Sequence, residues 1–206
     1  MSQFILITGK PGVGKTTIMK KILNNLKTNN IQCKGFYTEE KRNTNNVRIG
    51  FNVTTTEGVE GVLARIRYYS TVKILEDYIN MFNSSSEMII KPKTGSNFQV
   101  GKYVVHVNEF ENLCLNLVNC EDDSKIILID EIGKMELLSK KFETAIGSIL
   151  KSSKNLRVIA TIPLKNNHNC IKDINEHKNA KLFNVTNTNR ENIFLEIMED
   201  VRKKLI

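Results

Sequence analysis

Eight residues near the start of the chain have the types and the spacing needed to bind phosphate groups. They fit the pattern G-x-x-x-x-G-K-[ST] and read Gly9-Lys10-Pro11-Gly12-Val13-Gly14-Lys15-Thr16. Glycines allow such a loop to point successive backbone N–H groups at a polyphosphate, and a helix that follows adds its own unpaired N–H groups. Lys15 can then reach the β- and γ-phosphates, the Thr16 hydroxyl can ligate Mg²⁺, and Thr17 is placed to touch the α-phosphate. The segment predicts a phosphate-binding loop.

A pair of carboxylates follows a strongly apolar run in the second half of the chain. Residues 126–129 read Ile-Ile-Leu-Ile, and Asp130 and Glu131 come directly after them. An apolar run without alternation is typical of a strand buried on both faces of a parallel sheet. Asp130 at the end of that strand would hold Mg²⁺, and Glu131 would orient and deprotonate a water molecule near the γ-phosphate. A helix cap or a loop ion pair is the alternative interpretation, which the phosphate-binding loop upstream weakens.

Five further side chains are weaker candidates. Thr161 ends the next predicted strand and could hydrogen-bond to the γ-phosphate or to the water, although threonine is also an ordinary strand residue. Lys134 follows the carboxylate pair and could reach charge that develops in the transition state. Arg42, Arg65 and Arg190 are candidates for an arginine that stabilises this charge, with a structural or surface cation as the alternative for each.

The pattern of apolar residues around these motifs predicts an α/β sandwich. The predicted strands span residues 3–8, 31–38, 47–54, about 59–66, 126–129, 157–161 and 182–185. Predicted helices follow the phosphate-binding loop and occupy about 109–118, 142–150 and 193–201, with Asn108 as the cap of the second. Strands that alternate with helices favour a largely parallel sheet. We expect one domain over residues 1–206, with a surface insertion at about 68–97 to which no function is assigned.

Composition narrows the class of protein. The chain has 206 residues, 30 Lys and Arg against 22 Asp and Glu, a net charge of +8, and four cysteines without a C-x-x-C pair. No apolar run is long enough to cross a membrane, and sparse cysteines favour a reducing compartment, so we expect the cytoplasm, with the nucleus as an alternative. The charge could serve nucleic-acid binding, but 23 lysines and 7 arginines are spread along the chain without a compact cluster. A solvated basic surface is the favoured explanation.

Longer strings of residues carry a family resemblance. They occupy residues 9–17, 35–40, 49–51, 100–105, 129–137 and 183–186 with 189–190, and so extend over nearly the whole chain. These strings resemble the cancer-related nucleoside-triphosphatases and the wider family of small thermostable nucleoside-triphosphatases from bacteria and archaea. The strings Gly35–Glu40 and Ile129–Leu137 are far more specific than the phosphate-binding loop. Residues 68–97 depart from the family pattern because this region looks longer here.

The resemblance implies a fold, an activity and a set of contacts. The fold would be a P-loop, RecA-like three-layer sandwich, with a mostly parallel central sheet plus antiparallel strands from residues 31–66. The activity would be hydrolysis of nucleoside 5′-triphosphates with little base preference. The family's nucleotide-contacting segments map onto residues 9–16 and onto Leu128-Ile129-Asp130-Glu131-Ile132-Gly133-Lys134. By the same likeness, the loop that carries Asn189 and Arg190 would lie near the base.

The leading hypothesis is Mg²⁺-dependent hydrolysis of nucleoside triphosphates, with Lys15 and Glu131 as catalytic residues and Thr16 and Asp130 as metal ligands. The sequence contains no Asn/Thr-Lys-x-Asp string that would read guanine, which fits broad base tolerance. Two alternatives stay open: a P-loop kinase that passes the γ-phosphoryl group to a small molecule or a nucleic-acid end, and a nucleotide-gated nucleic-acid-binding protein. The expected partners are nucleoside triphosphates, with nucleic acid less favoured, no membrane, and a monomeric chain.

Overall fold

A single sheet organises the computed structural model, which describes residues 3–67, 98–118, 125–165 and 168–205. Its nine strands are β1 (Gln3–Gly9), β2 (Cys33–Arg42), β3 (Arg48–Thr55), β4 (Glu60–Ile66), β5 (Gln99–Val100), β6 (Tyr103–Val105), β7 (Ile126–Asp130), β8 (Arg157–Thr161) and β9 (Ala180–Val185). The helices described are α1 (Lys15–Thr28), α2 (Val107–Val118), α3 (Lys140–Lys151), α4 (Asn169–Asn175) and α5 (Ile193–Leu205). A 3₁₀ turn at Glu136–Leu138 precedes α3.

The sheet has a parallel half and an antiparallel half. Its strand order is β5-β6-β4-β3-β2-β7-β8-β1-β9. β2, β7, β8, β1 and β9 run parallel, whereas β3, β4, β6 and β5 are joined by antiparallel pairs. The predicted α/β sandwich is observed with one difference: the antiparallel strands continue beyond residues 31–66 to β5 and β6. Strands of two and three residues are too short to show a period in the sequence.

Helices cover both faces of the sheet and create two apolar cores. Ile126 and Leu128 of β7 pack in the core beneath α1 and α5, while Ile127 and Ile129 pack in the core beneath α2, α3 and α4. Every residue of β7 is buried for this reason, and burial on both faces removes the need for polar residues at alternate positions. The second core contains an aromatic cluster in which Phe110 lies 5.4 Å from Phe36 and 5.2 Å from Phe142, measured between ring centroids.

The order of the parallel strands brings the two sequence motifs together. β8 lies between β1 and β7, and the carboxyl ends of all three strands meet at one edge of the sheet because the strands are parallel. β1 ends in the phosphate-binding loop, β7 ends at Asp130, and β8 ends at Thr161. Ligands of open α/β sheets bind at this edge, so the fold places all three predicted segments where a nucleotide would bind.

Most predicted elements are present, and three details differ. β2 runs on to Arg42, beyond the predicted end at residue 38, because it continues past β7 as the antiparallel partner of β3. The prediction that Asn108 caps α2 is wrong. The helix begins at Val107, and the N–H of Phe110 donates to the carbonyl of His106, so Asn108 lies inside the first turn. The seven-residue helix α4 was not predicted. The predicted insertion at 68–97 lies outside the described residues.

Candidate nucleotide-binding site

The phosphate-binding loop joins β1 to α1 with a backbone that only glycine adopts readily. Gly12 and Gly14 have φ angles of +77° and +110°, in the region that side chains disfavour. Gly14 occupies the cap position of α1, and no side chain caps the first turn of this helix. The N–H groups at the start of α1 therefore remain available to an anion, with the positive end of the helix dipole behind them.

Lys15 begins α1 and is a buried cation. Its Nζ atom lies 3.3 Å from the carbonyl oxygen of Gly9 and 3.6 Å from Oε2 of Glu131. The ammonium group thus connects the phosphate-binding loop to the loop that follows β7. The Glu131 side chain is 31% exposed, so solvent water can reach its carboxylate.

Asp130 ends β7 as an almost completely buried carboxylate. Its Oδ1 atom accepts a hydrogen bond of 2.5 Å from the hydroxyl of Thr161, and its Oδ2 atom is buried with no hydrogen-bond partner among the described residues. Burial raises the pKa of Asp130 to about 6, although the Thr161 and Thr16 hydroxyls and the Lys15 ammonium oppose this shift. A buried oxygen without a partner is costly unless something else binds it.

Thr16 and Asp130 fit a divalent cation by the chemistry of their donors. A carboxylate and a hydroxyl supply hard oxygen ligands, and the Oδ2 atom of Asp130 is the buried acceptor that a cation would satisfy. Within the described ranges, no group of three or more His, Cys, Asp or Glu side chains could hold a metal ion. Mg²⁺ at nucleotide sites is commonly held by one or two carboxylates together with water and phosphate oxygens, which fits the small donor set of Thr16 and Asp130.

Backbone hydrogen bonds hold the segment after β7 in place. The N–H of Ile132 donates to the carbonyl of Thr161 over 2.9 Å, and the N–H of Leu137 donates to the carbonyl of Gly133 over 3.0 Å. Between these two bonds, the N–H of Gly133 donates to Oε2 of Glu136 over 3.1 Å. We name residues 131–136 the carboxylate loop.

Lys134 is exposed within the carboxylate loop. It lines a surface groove of about 740 Å³ together with residues of α2, of α3 and of the turn before α3. Its side chain forms no salt bridge within the part of the chain that the structure describes.

The structure brings some of the weaker candidates to the site and places others elsewhere. Thr161 is buried and bonded to Asp130. Arg65 is buried in the antiparallel half of the sheet, where it donates to the carbonyl of Phe51 and to Oδ1 of Asn52. Arg42 pairs with Glu40 at the end of β2. Arg42 and Arg65 are thus accounted for as structural cations.

Asn189 and Arg190 lie between β9 and α5. The Asn189 side chain accepts from the N–H of Thr186 over 2.8 Å and donates to the carbonyl of Asn184 over 3.0 Å, so it shapes the turn after β9. Arg190 is exposed and lies 3.5 Å from a carboxylate oxygen of Glu191. A contact of these two residues with the base stays a prediction.

Glu136 is the residue that sequence reasoning missed. It is 4% exposed, and its carboxylate turns back along the chain to the N–H of Gly133. The bond from a glutamate side chain to the backbone N–H three residues earlier corresponds to one half of a capping box; Gly133 has no side chain for the reciprocal bond. That spacing was available in the string Gly133-Lys134-Met135-Glu136.

Comparisons with known proteins agree over almost the full chain. The family model described as NTPase matches residues 4–198. The cancer-related nucleoside-triphosphatase homolog of Mus musculus is 34% identical over 209 residues, covering 98% of each chain. The nucleoside-triphosphatase THEP1 of Aquifex aeolicus is 35% identical over 201 residues, covering 94% of this chain and 96% of that protein.

Two solved structures resemble the fold. The crystal structure of THEP1 from Aquifex aeolicus superposes with a TM-score of 0.73 at 34% identity, covering 96% of this chain and 98% of that one. The solution structure of a human cancer-related nucleoside triphosphatase gives a TM-score of 0.72 at 33% identity, covering 98% of both chains.

Proposed function

The chain belongs to the NTPase family, and on this premise we propose that it hydrolyses nucleoside 5′-triphosphates to the diphosphate and phosphate at the edge of the sheet formed by β1, β7 and β8. The resemblance predicted from the sequence and the predicted class of enzyme are confirmed by the family match and by the named relatives. The observation that carries the proposal is the position of Glu131, a partly exposed carboxylate beside Asp130 and 3.6 Å from the Lys15 ammonium.

Each residue of the site has a role that its surroundings support. Lys15 and the N–H groups at the start of α1 bind the β- and γ-phosphates, and Lys15 exchanges the Glu131 carboxylate for phosphate oxygens when the nucleotide enters. Thr16 and Asp130 would hold Mg²⁺, and Thr161 fixes the orientation of the Asp130 carboxylate through its hydrogen bond. When bound, Mg²⁺ neutralises charge on the phosphate oxygens. Glu131 orients the attacking water and accepts its proton.

Broad base tolerance and a cytoplasmic location complete the proposal. The string that would read guanine is absent from the sequence, so recognition rests on the triphosphate common to all nucleotides. Cys33, Cys114 and Cys170 are free thiols, which suits a reducing compartment. No helix in the described parts of the chain has the length and apolar character needed to cross a bilayer. Neither the kinase alternative nor the nucleic-acid-binding alternative gains support from the mouse, Aquifex aeolicus and human relatives, whose names denote nucleoside-triphosphatases.

Replacement of Glu131 by glutamine tests the proposal. Glu131→Gln keeps the size of the side chain but removes the base, so kcat for phosphate release falls by about 10²-fold or more while nucleotide binding persists. Phosphate release is measured against a panel of triphosphates with and without Mg²⁺, and binding is measured with a non-hydrolysable analogue. Glu199→Gln, on the exposed face of α5, is the matched control with unchanged turnover. Unchanged turnover in Glu131→Gln would overturn the assigned role.

Replacement of Lys15 tests the location of the phosphates. Lys15→Ala removes the cation that lies between the phosphate-binding loop and Glu131, so both analogue binding and turnover are lost. Lys172→Ala, exposed on α4, is the matched control. Normal binding by Lys15→Ala would contradict the site. Labelled phosphate that appears on an added nucleoside or oligonucleotide, instead of as free phosphate, would favour the kinase alternative.

A further inference from the structure

Glu136 is a buried acid inside the carboxylate loop. Acidic side chains are rarely this buried unless they are paired, yet no Lys or Arg of the described residues forms a salt bridge with Glu136. Its Oε2 atom accepts a hydrogen bond from the backbone N–H of Gly133. Burial, followed by the charges of Glu131 and Asp130, raises the pKa of Glu136 to about 8. A mostly neutral carboxyl group at this place avoids direct repulsion of the Glu131 carboxylate.

Gly133 lies between the carboxylates of Glu131 and Glu136. A Cβ atom built on Gly133 would lie 2.8 Å from Oε1 of Glu131 and 2.9 Å from Oε2 of Glu136, closer than van der Waals contact allows. Both carboxylates therefore border the space that a side chain of residue 133 would occupy. A side chain at position 133 would displace the ends of these two carboxylates without straining the backbone, because the φ angle of Gly133 is not in the positive region.

The hydrogen bond from Gly133 to Glu136 holds the centre of the carboxylate loop. The N–H of Ile132 fixes the start of the loop to Thr161, and the N–H of Leu137 bonds the carbonyl of Gly133, whereas the N–H side of Gly133, in the peptide that follows Ile132, is held by Glu136. This peptide follows Glu131 by one residue, so a shift in it would move the Glu131 carboxylate. A displacement of about 1 Å in a catalytic group can lower a rate by about 10²-fold.

We propose that Glu136 is a positioning residue that fixes the Gly133 peptide and thereby holds the Glu131 carboxylate at the place from which it serves the attacking water. This inference rests on the proposed hydrolysis and on the role of Glu131. Glu136 itself does not touch the nucleotide. Its effect is on kcat and is exerted through Glu131, so nucleotide affinity does not depend on it.

Two substitutions at Glu136 separate its hydrogen bond from its bulk. Glu136→Ala removes the acceptor and lowers kcat by about tenfold or more, while KM and analogue affinity stay within about twofold of the wild type. Glu136→Gln retains an oxygen that can accept from the Gly133 N–H, and it recovers most of the kcat lost in Glu136→Ala. A loss of analogue affinity that parallels the loss of kcat would overturn the proposal, as would equal kcat values in Glu136→Ala and the wild type.

Gly133→Ala tests the same arrangement by displacing the carboxylates of Glu131 and Glu136. The added methyl group forces the tips of two flexible side chains to move and meets no rigid backbone within 3 Å among its nearest neighbours, so the fold is retained and kcat falls as in Glu136→Ala. Gly147→Ala in α3 is the matched control, because a Cβ atom at that position has no neighbour within 4 Å. Thermal unfolding and circular dichroism establish that each variant is folded. Wild-type kcat in a folded Gly133→Ala variant would overturn the proposal.

A double-mutant cycle distinguishes a failure of this inference from a failure of the proposed function. If Glu136 acts through Glu131, Glu136→Ala lowers kcat of the Glu131→Gln protein by less than about twofold, because the group that it positions is already disabled. A full, additive loss in the double variant would overturn the positioning role and leave the proposed function standing. Unchanged turnover in Glu131→Gln alone would instead overturn the proposed role of Glu131, whatever the Glu136 variants show.

Discussion

Lys15 and Asp130 illustrate how single residues prepare the site for a ligand that carries both negative charge and a metal. The Lys15 ammonium is almost completely buried and faces two oxygen acceptors, the Gly9 carbonyl and the Glu131 carboxylate. The Asp130 carboxylate is buried with one oxygen bonded to Thr161 and the other without a partner among the described residues. Charged groups cost free energy when they leave water, and a bound Mg²⁺–nucleotide complex would offset that cost at both positions.

The buried Glu136 predicts how stability changes with pH. Burial raises its pKa from 4.5 to about 8, and Glu131 and Asp130 contribute. Burial also raises the pKa of the nearby Cys114 thiol, so this thiol stays protonated at the pH at which Glu136 titrates. The folded protein holds the Glu136 proton more tightly than the unfolded chain does. This residue therefore destabilises the fold progressively as pH rises from about 4.5 to about 8. Glu136→Gln lacks this titration, so its free energy of unfolding relative to the wild type increases by up to about 1.4 kcal/mol per pH unit.

Urea denaturation of the wild type and Glu136→Gln measures this difference at several pH values between about 5 and 8. Glu199→Gln is the control, because Glu199 is exposed on α5 and pairs with Lys203. A difference between wild type and Glu136→Gln that does not change with pH would contradict a raised pKa at Glu136.

At the scale of elements, the start of α3 connects the carboxylate loop to the helical layer. Ser139 caps α3 by accepting a hydrogen bond of 3.0 Å from the N–H of Phe142. Its hydroxyl donates to Oε1 of Glu111 on α2 over 2.7 Å, and Lys141 donates to the other Glu111 oxygen over 2.8 Å. Burial would raise the pKa of Glu111, but these two hydrogen bonds outweigh it and hold the pKa below its usual value.

Ser139→Ala tests this connection. The substitution removes the cap of α3 and the hydrogen bond that the Ser139 hydroxyl donates to Glu111. The free energy of unfolding therefore falls by about 1–2 kcal/mol. Urea denaturation measures the change. Ser148→Ala is the matched control in the same helix, because the Ser148 hydroxyl is exposed and donates to the carbonyl of Thr144 one turn earlier. Equal stabilities of the two variants would show that the cap contributes nothing beyond an ordinary helix serine.

At the scale of the whole molecule, the net charge is +8, and its basic side chains are spread along the chain. Some of them pair with carboxylates. Lysines on several elements pair with carboxylates: Lys20 with Glu39, Lys21 with Glu191, Lys141 with Glu111, Lys181 with Asp200 and Lys203 with Glu199. Pairs of this kind on a surface contribute little to stability, but they reduce the local positive potential. The arrangement favours a solvated basic surface over a dedicated nucleic-acid face.

This charge distribution predicts weak and non-productive contact with nucleic acids. Single-stranded RNA or DNA added at about 0.15 M salt leaves phosphate release unchanged, because the lysines of the described residues are spread over several elements and many of them pair with carboxylates. The test compares turnover with and without oligonucleotide, together with oligonucleotide binding across a salt series. Turnover stimulated by the oligonucleotide, or binding with a steep salt slope, would contradict this prediction and favour the nucleotide-gated alternative.

The sequence by itself determined the elements that depend on neighbouring residues. The glycines and Lys15-Thr16 of the phosphate-binding loop, the unalternating apolar run of β7 and the carboxylates that end it are set by backbone conformation and burial over a few positions, and they could be predicted together with the family. Short elements such as β5, β6 and α4 could not, because two to seven residues carry too little periodicity.

Only the tertiary structure decided which distant groups meet. Strand order places β8 between β1 and β7, so Thr161 bonds Asp130, and Lys15 approaches Glu131. The packing of the antiparallel strands also turns Arg65 into a structural cation. These relations come from the packing of helices on both faces of a sheet whose strands are far apart in the chain, and no local pattern of residues specifies the distances that result.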